Sequence, residues 1–277
     1  MIKAPALTLI SQKDTHSEEP FLSDNQTKLP DEIIKLKGED IYLPIREQTE
    51  PIPESVSKLA IELMENAPVY YDLIQKIRAQ YSANSDLLCM SLADKLPKER
   101  EMILSALDQL YGVVGSFYYN KDLCSVQGIL SFTPKAKAFM YGKYLEIALQ
   151  EEARSVINLL AKKYQTKAKV YANAVTVTEN GNFKNEFDFL ICFGERYFIV
   201  EIKSGKSFRD FQKYVEIGDT YDISPQQILL VDNCIRDDVV ETIEYFCSYH
   251  VCNLQSATFR DKLTLMIENS IKNEKGE

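Results

Sequence analysis

The chain has no apolar run long enough to span a membrane, and its N-terminus has one lysine and only a weak apolar stretch. We therefore expect no membrane contact and no signal peptide, and we predict a cytoplasmic location. A positive net charge is also lacking, since the formal charge is -9 and the pI is near 5.0. This balance argues against a protein that coats nucleic acid by bulk positive charge, but it leaves room for a local basic groove.

Paired cysteine spacing is a further absence. The six cysteines stand singly, mostly in apolar surroundings, which is typical of small core residues in a reducing compartment. Cys247, His250 and Cys252 come nearest to a metal-binding cluster. They offer only three ligands, whereas structural zinc normally needs four, so the sequence does not favour zinc there.

The composition, with 45% hydrophobic and 26% charged residues, is that of an ordinary globular protein. Its 277 residues leave room for two small domains, or for one domain with an extension. Residues 1–54 are polar and contain six of the ten prolines, so we predict an extension with one short strand near Ile41–Leu43.

Residues 55–138 have apolar stripes at helical spacing, including a predicted helical segment from Leu87 to Leu96 and a helix that begins at Pro97. A strand hairpin follows after Gly115. Helices followed by a hairpin are typical of a winged helix, and a purely helical packing domain remains an equal alternative. The helix that begins at Pro97 opens with mixed charge, which weakens the hypothesis that it reads DNA.

Residues 139–277 predict a separate α/β unit. A long helix from about Lys143 to Tyr164 precedes three strands that form a meander, and further helices alternate with an apolar strand from Gln227 to Val231. This order predicts a mixed sheet flanked by helices, preceded by the mainly helical or winged-helix domain.

The strongest functional signal is a carboxylate on one strand of the meander and a Glu-x-Lys pair on the next. Side chains alternate along a strand, so Glu201 and Lys203 share a face at the end of an apolar run. A tight turn at Gly194-Glu195 places Asp188 nearly opposite Glu201. Charges at a buried strand end need a partner or a metal. The pattern predicts a metal-dependent phosphodiesterase site, with an Asp188–Lys203 salt bridge as the alternative.

Glu146 lies on the long helix, in line with an apolar stripe. Two interpretations stay open on the sequence alone. An acid in the first turn of a helix is favoured by the helix dipole. It could also be a further acidic contributor to the metal site.

Three segments, Tyr141–Glu146, Asn185–Asp188 and Glu201–Gly205, resemble the PD-(D/E)xK restriction-endonuclease-like superfamily. The resemblance covers about residues 125–275, and the nuclease domain of CRISPR-associated, cyclic-oligoadenylate-activated nucleases is most similar. The proline of the signature is absent, and Phe187 stands in its place. That family carries an N-terminal nucleotide-sensing domain. Residues 1–54 are too short for one, so activation by a cyclic nucleotide is not predicted.

The resemblance implies a restriction-endonuclease-like sheet and a metal-dependent endonuclease that acts on DNA or RNA. By resemblance, Glu146 is the active-site glutamate, Asp188 and Glu201 are metal-binding acids, and Lys203 is the catalytic lysine. Asp188, Glu201 and the Ile202 carbonyl would hold Mg²⁺ or Mn²⁺, with Glu146 contributing. Lys203 would orient or deprotonate the water, or stabilise negative charge; the sequence does not choose.

Basic residues near these motifs are candidates for contact with the phosphate backbone: Lys206, Arg209, Lys213 and Lys143. Tyr214, Tyr221 and Gln212 lie where the superfamily often supplies further site residues. Nucleases of this fold often act as dimers, so a homodimer is possible, but no interface can be read. The alternative functions are a nucleic-acid-binding or regulatory protein with an inactive nuclease-like fold, and a structural α/β interaction module.

Overall fold

A computed structural model describes residues 33–37, 41–47, 52–177, 183–204, 211–233 and 235–275. Within these ranges the strands are β1 (Ile33–Lys37), β2 (Ile41–Glu47), β3 (Leu87–Ser91), β4 (Gly115–Asn120), β5 (Ser125–Leu130), β6 (Ala168–Val177), β7 (Phe183–Phe193), β8 (Arg196–Lys203), β9 (Ile228–Asp232) and β10 (His250–Asn253). The helices are α1 (Glu54–Glu65), α2 (Ala67–Ser82), α3 (Pro97–Leu110), α4 (Pro134–Ala138), α5 (Tyr144–Tyr164), α6 (Phe211–Tyr221), α7 (Asp237–Cys247) and α8 (Phe259–Lys275). Across the described ranges, none of these helices has both the length and the apolarity needed to cross a bilayer.

The segment from α1 to β5 consists of three helices and a small antiparallel sheet in the order β3-β5-β4. The predicted helix that begins at Pro97 and the predicted hairpin are confirmed as α3 and β4–β5. The helix predicted from Leu87 to Leu96 is wrong, because its first half is strand β3. Leu88 is buried between exposed neighbours, as expected where side chains alternate along a strand. The strand also pairs with β5, so a tertiary partner decides its structure.

The main sheet has the order β1-β2-β6-β7-β8-β9-β10 among the described strands. Pairing is antiparallel from β1 to β8 and parallel from β8 to β10, which confirms the predicted mixed sheet flanked by helices. Two strands, β1 and β2, stand where the sequence predicted one, and β2 pairs with β6. The short strand β10 was not predicted.

Helices cover both faces of this sheet, and the alternation of side chains along each strand decides which residues meet which helices. Leu190 and Ile199 pack with residues of α6 and α7. Their neighbours Ile191 and Phe198 point to the opposite face and pack with α5 and α8. Strands that are apolar on both faces therefore form the centre of the domain.

The predicted stripe on α5 is buried, with Ala153, Ile157 and Leu160 no more than 5% exposed. The helix ends at Gln165, which adopts a left-handed conformation with φ 51°. Burial of this stripe fixes the rotation of the helix, which sets the direction of each side chain in its first turn. Glu146 lies in that first turn.

Candidate active site

Asp188 and Glu201 meet where the hydrogen-bonded ladder between β7 and β8 stops. The last ladder pair is Phe189 with Val200, so Asp188 and Glu201 come next in the predicted register. Asp188 Oδ2 accepts a hydrogen bond from the Ile202 amide at 2.6 Å. This bond links the middle of β7 to the end of β8 and fixes one carboxylate oxygen of Asp188 beside Glu201.

Glu201 is buried, at 2% exposure, and forms an ion pair with Lys203, whose Nζ lies 3.0 Å from Glu201 Oε2. The Tyr214 hydroxyl donates to the same oxygen at 3.4 Å. Burial raises the pKa of Glu201, the charge of Asp188 raises it further, and Lys203 and Lys213 oppose the increase. The close ion pair of Lys203 is thus with Glu201, whereas the sequence alternative had paired it with Asp188.

The three acids of the cluster all act on the pKa of Lys203. Burial acts to lower its pKa, but the negative charges of Glu201, Asp188 and Glu146 outweigh burial, and the pKa lies above its usual value. Lys203 is therefore protonated at neutral pH in the metal-free protein.

Glu146 reaches the same cluster from α5. Burial raises its pKa and the charge of Asp188 adds to this effect, while Lys143 opposes it. The Lys143 Nζ lies 2.5 Å from Glu146 Oε2 and also donates to Asn173 Oδ1. Glu146 occupies the first turn of a helix and is also close enough to Asp188 for that charge to act on its pKa, so both interpretations stay open.

The four predicted basic contacts divide into two groups. Lys206 and Arg209 lie outside the described residues. Lys213, on α6, is exposed, and its charge acts on Glu201. Lys143 is held by Glu146 and Asn173, so it is part of the cluster rather than a separate basic surface.

The donor set suits a hard divalent cation by its chemistry, because carboxylate oxygens dominate it and the charge of Asp188 raises the pKa of both Glu146 and Glu201. Through the described ranges, no three histidine, cysteine, aspartate or glutamate side chains stand in a ready-made metal-binding arrangement. This finding includes Cys247, His250 and Cys252, and burial raises the pKa of the Cys252 thiol to about 12. The lysines neutralise part of the acidic charge, and a cation would have to compete with them.

No protein-family model matches the chain, and no curated protein matches it. Among solved structures, protein VC1899 from Vibrio cholerae is similar, with a TM-score of 0.50, 13% identity, and coverage of 83% of this chain and 58% of that one. The two chains share a fold. Can2 from Sulfobacillus thermosulfidooxidans, solved in complex with cyclic tetra-adenylate (cA4), has a TM-score of 0.48 and 10% identity, over 81% of this chain and 58% of that one. This chain therefore spans less than two thirds of either.

Two polar residues of this region escaped the sequence interpretation. Asn173 has a left-handed backbone, with φ 50°, between ladder pairs of β6 and β7, and it accepts a bond from Lys143. Asp232 ends β9, is 1% exposed and lies in register with Lys203. Each is a polar residue in a mainly apolar strand. In the sequence, this interruption of the apolar run was the signal that could have identified it.

The π-helical turn Phe139–Lys143 leads into α5 and places Lys143 beside the cluster. Gly142 gives this turn an unusual backbone conformation. Gly142 has φ +154°, a conformation that L side chains rarely adopt. A Cβ there would lie 2.6 Å from Ser204 Oγ, next to Lys203 in the chain. Ser204 Oγ also donates to the Tyr141 carbonyl, so the turn and the end of β8 are in direct contact.

Gly142→Ala should destabilise the fold by roughly 1–3 kcal/mol, because the backbone is strained and Ser204 must move. Urea unfolding measures this loss. Gly112→Ala is a matched control, since Gly112 also has a positive φ, +77°, but its Cβ would meet nothing within 4 Å. Equal losses in the two variants would show that the contact with Ser204 is unimportant.

Proposed function

We propose that this protein is a metal-dependent endonuclease that hydrolyses phosphodiester bonds in DNA or RNA. The observation that carries the proposal is the meeting of Asp188 and Glu201 where the ladder between β7 and β8 stops, with Lys203 Nζ 3.0 Å from Glu201. Glu146 joins them from a distant helix. Bringing several acids and a lysine into one partly buried cluster costs desolvation free energy, which a catalytic role would explain.

Mg²⁺ or Mn²⁺ would be held through Asp188, Glu201 and the Ile202 carbonyl, with a contribution from Glu146. When bound, such an ion supplies Lewis-acid chemistry that activates water and neutralises charge on a phosphate. Asp188 is already oriented for this role, because the Ile202 amide fixes its Oδ2. Glu201 is oriented by Lys203 and by the Tyr214 hydroxyl.

Lys203 would act as a cation in this site. Its raised pKa keeps it protonated at neutral pH, so it would donate hydrogen bonds that orient the attacking water or stabilise charge on the phosphate. The Glu146 carboxylate would be a proton acceptor close to Lys203. Its partner Lys143, which is now paired with Glu146, would bind a phosphate oxygen when substrate is present.

Nucleic acid would approach across α6. Lys213 is exposed and near Glu201, and we assign the same role to Lys206 and Arg209, which precede it in sequence. Phosphate contacts of this kind would add affinity without base specificity.

The test is incubation of the purified protein with labelled single- and double-stranded DNA and RNA, with Mn²⁺ or Mg²⁺ and with EDTA. We expect cleavage of at least one substrate with metal and none with EDTA. Asp188→Asn, which keeps shape and removes a charge, should abolish it. Asp108→Asn, on the exposed surface of α3, is the matched control and should cleave normally.

If no substrate is cleaved, a thermal-shift titration with Mn²⁺ distinguishes a missing activator from a missing metal site. Mn²⁺ should raise the melting temperature of the wild type by mass action and should not raise that of Asp188→Asn. A shift without cleavage would leave the metal site supported and place the missing requirement in an activator or partner. Neither shift nor cleavage would contradict the proposal and favour a binding protein with an inactive nuclease-like fold.

A further inference from the structure

Arg78, on α2, connects the helical part of the chain to both sides of the acidic cluster. Its Nε donates to the Met140 carbonyl at 2.7 Å, and its Nη1 donates to the Ser204 carbonyl at 2.9 Å. Met140 lies in the turn that leads to Lys143, and Ser204 directly follows Lys203. One guanidinium therefore binds two segments that each carry residues of the cluster.

A second set of contacts fastens the same turn to α2. The Tyr141 hydroxyl lies 3.1 Å from Ser82 Oγ and donates to the Arg78 carbonyl at 3.5 Å. Ser204 Oγ donates to the Tyr141 carbonyl. Helix α2, the turn and the end of β8 thus form one hydrogen-bonded junction.

Apolar packing and these bonds act together at this junction, since Met140 and Ile77 lie in the same buried core. A cavity of about 630 Å³ lies beside Arg78, lined by residues of α1 and α2 and by Tyr144 and Leu145, which begin α5. Glu146 follows them directly in the chain. Beside this space, the directional bonds of Arg78 add to the packing that sets α2 against the turn before α5.

The chemistry of the side chain suits this task. A guanidinium is planar and rigid, and it presents donors in a fixed fork, so it can hold two carbonyls at a set separation. The Arg78 Nη2 atom is buried without a hydrogen-bond partner in the described part of the chain. Burying an unsatisfied donor is costly, so the two bonds to carbonyls must offset that cost.

We propose that Arg78 is a positioning residue for the active site, which sets Lys143 and Glu146 against Lys203. This inference rests on the proposed nuclease function for its catalytic consequence, but not for its structural part. Arg78 touches neither the acids nor the lysines in the described contacts; it acts through the backbone at Met140 and Ser204. It also makes the active site depend on the placement of α2.

The test compares Arg78→Gln and Arg78→Lys with Ile74→Val in the full-length chain. Ile74 lies on the same helix, is 4% exposed and lines the same cavity, so its variant loosens packing without removing the bridge. Hydrogen–deuterium exchange of the metal-free proteins is the first readout. We expect faster exchange at 139–146 and at 201–204 in Arg78→Gln, an intermediate effect in Arg78→Lys, and little change there in Ile74→Val.

Steady-state cleavage with Mn²⁺ is the second readout. Misplacement of catalytic groups should lower kcat of Arg78→Gln by roughly 10²-fold and leave KM within a few-fold, with partial recovery in Arg78→Lys. Unchanged exchange at both segments would overturn the proposal, as would an unchanged kcat in a variant with faster exchange. If the wild type cleaves nothing, the nuclease proposal fails by itself, and the exchange data still decide whether Arg78 holds the two segments.

Discussion

Lys203→Ala should lower the rate of metal-dependent cleavage by roughly 10²- to 10⁴-fold, the range for loss of a residue that assists proton transfer or stabilises charge. Lys203 Nζ is 3.0 Å from Glu201 Oε2, and its side chain is 40% exposed, so it can reach both the acids and an incoming substrate. Single-turnover cleavage of the preferred substrate measures the loss. Circular dichroism should show an intact fold.

Two companion variants sharpen this result. Lys203→Arg keeps the positive charge and should retain part of the activity if the lysine acts as a cation. Lys76→Ala removes an exposed lysine from α2 and should leave the rate unchanged. Metal-dependent cleavage by Lys203→Ala within a few-fold of the wild type would refute the role of this residue.

Glu201→Gln should have opposite effects on function and stability. It removes a proposed metal ligand, so metal-dependent turnover should be lost. In metal-free buffer at neutral pH, however, it should stabilise the fold. The reason is that burial and Asp188 both raise the pKa of Glu201, which means that its charged form is unfavourable in the folded protein. In this variant the negative charges of Asp188 and Glu146 still compensate the positive charge of Lys203.

The pH dependence of this gain follows from linkage. A carboxyl whose pKa is raised by folding binds protons more tightly in the folded state. Its contribution to stability is complete below the ordinary pKa near 4.5, and it is lost as the pH rises through the folded-state value. The advantage of Glu201→Gln should therefore be small in acid and should grow toward neutral pH.

Urea unfolding in EDTA at several pH values measures the effect. Glu195→Gln, in the exposed turn of the same hairpin, is the matched control and should change stability little. A destabilised Glu201→Gln at neutral pH would mean that the ion pair with Lys203 stabilises the fold more than burial of the charge opposes it.

Local patterns were sufficient for much of the fold. The stripe at Ala153, Ile157 and Leu160 predicted α5, and the tight turn at Gly194 predicted the register that brings Asp188 to Glu201. Both depend on interactions between residues close in sequence, which periodicity and turn chemistry encode. Strand β3 was mistaken for a helix because its partner β5 lies far along the chain.

The site divides in the same way. The sequence alone determined that Glu201 and Lys203 share a face, because alternation along one strand is a local property. The tertiary structure decided that Glu146 and Lys143 join them, that Lys203 pairs with Glu201, and that Arg78 binds both segments of the cluster. Those contacts link residues separated by as many as 126 positions, and their geometry depends on how helices pack on the sheet, which no short pattern specifies.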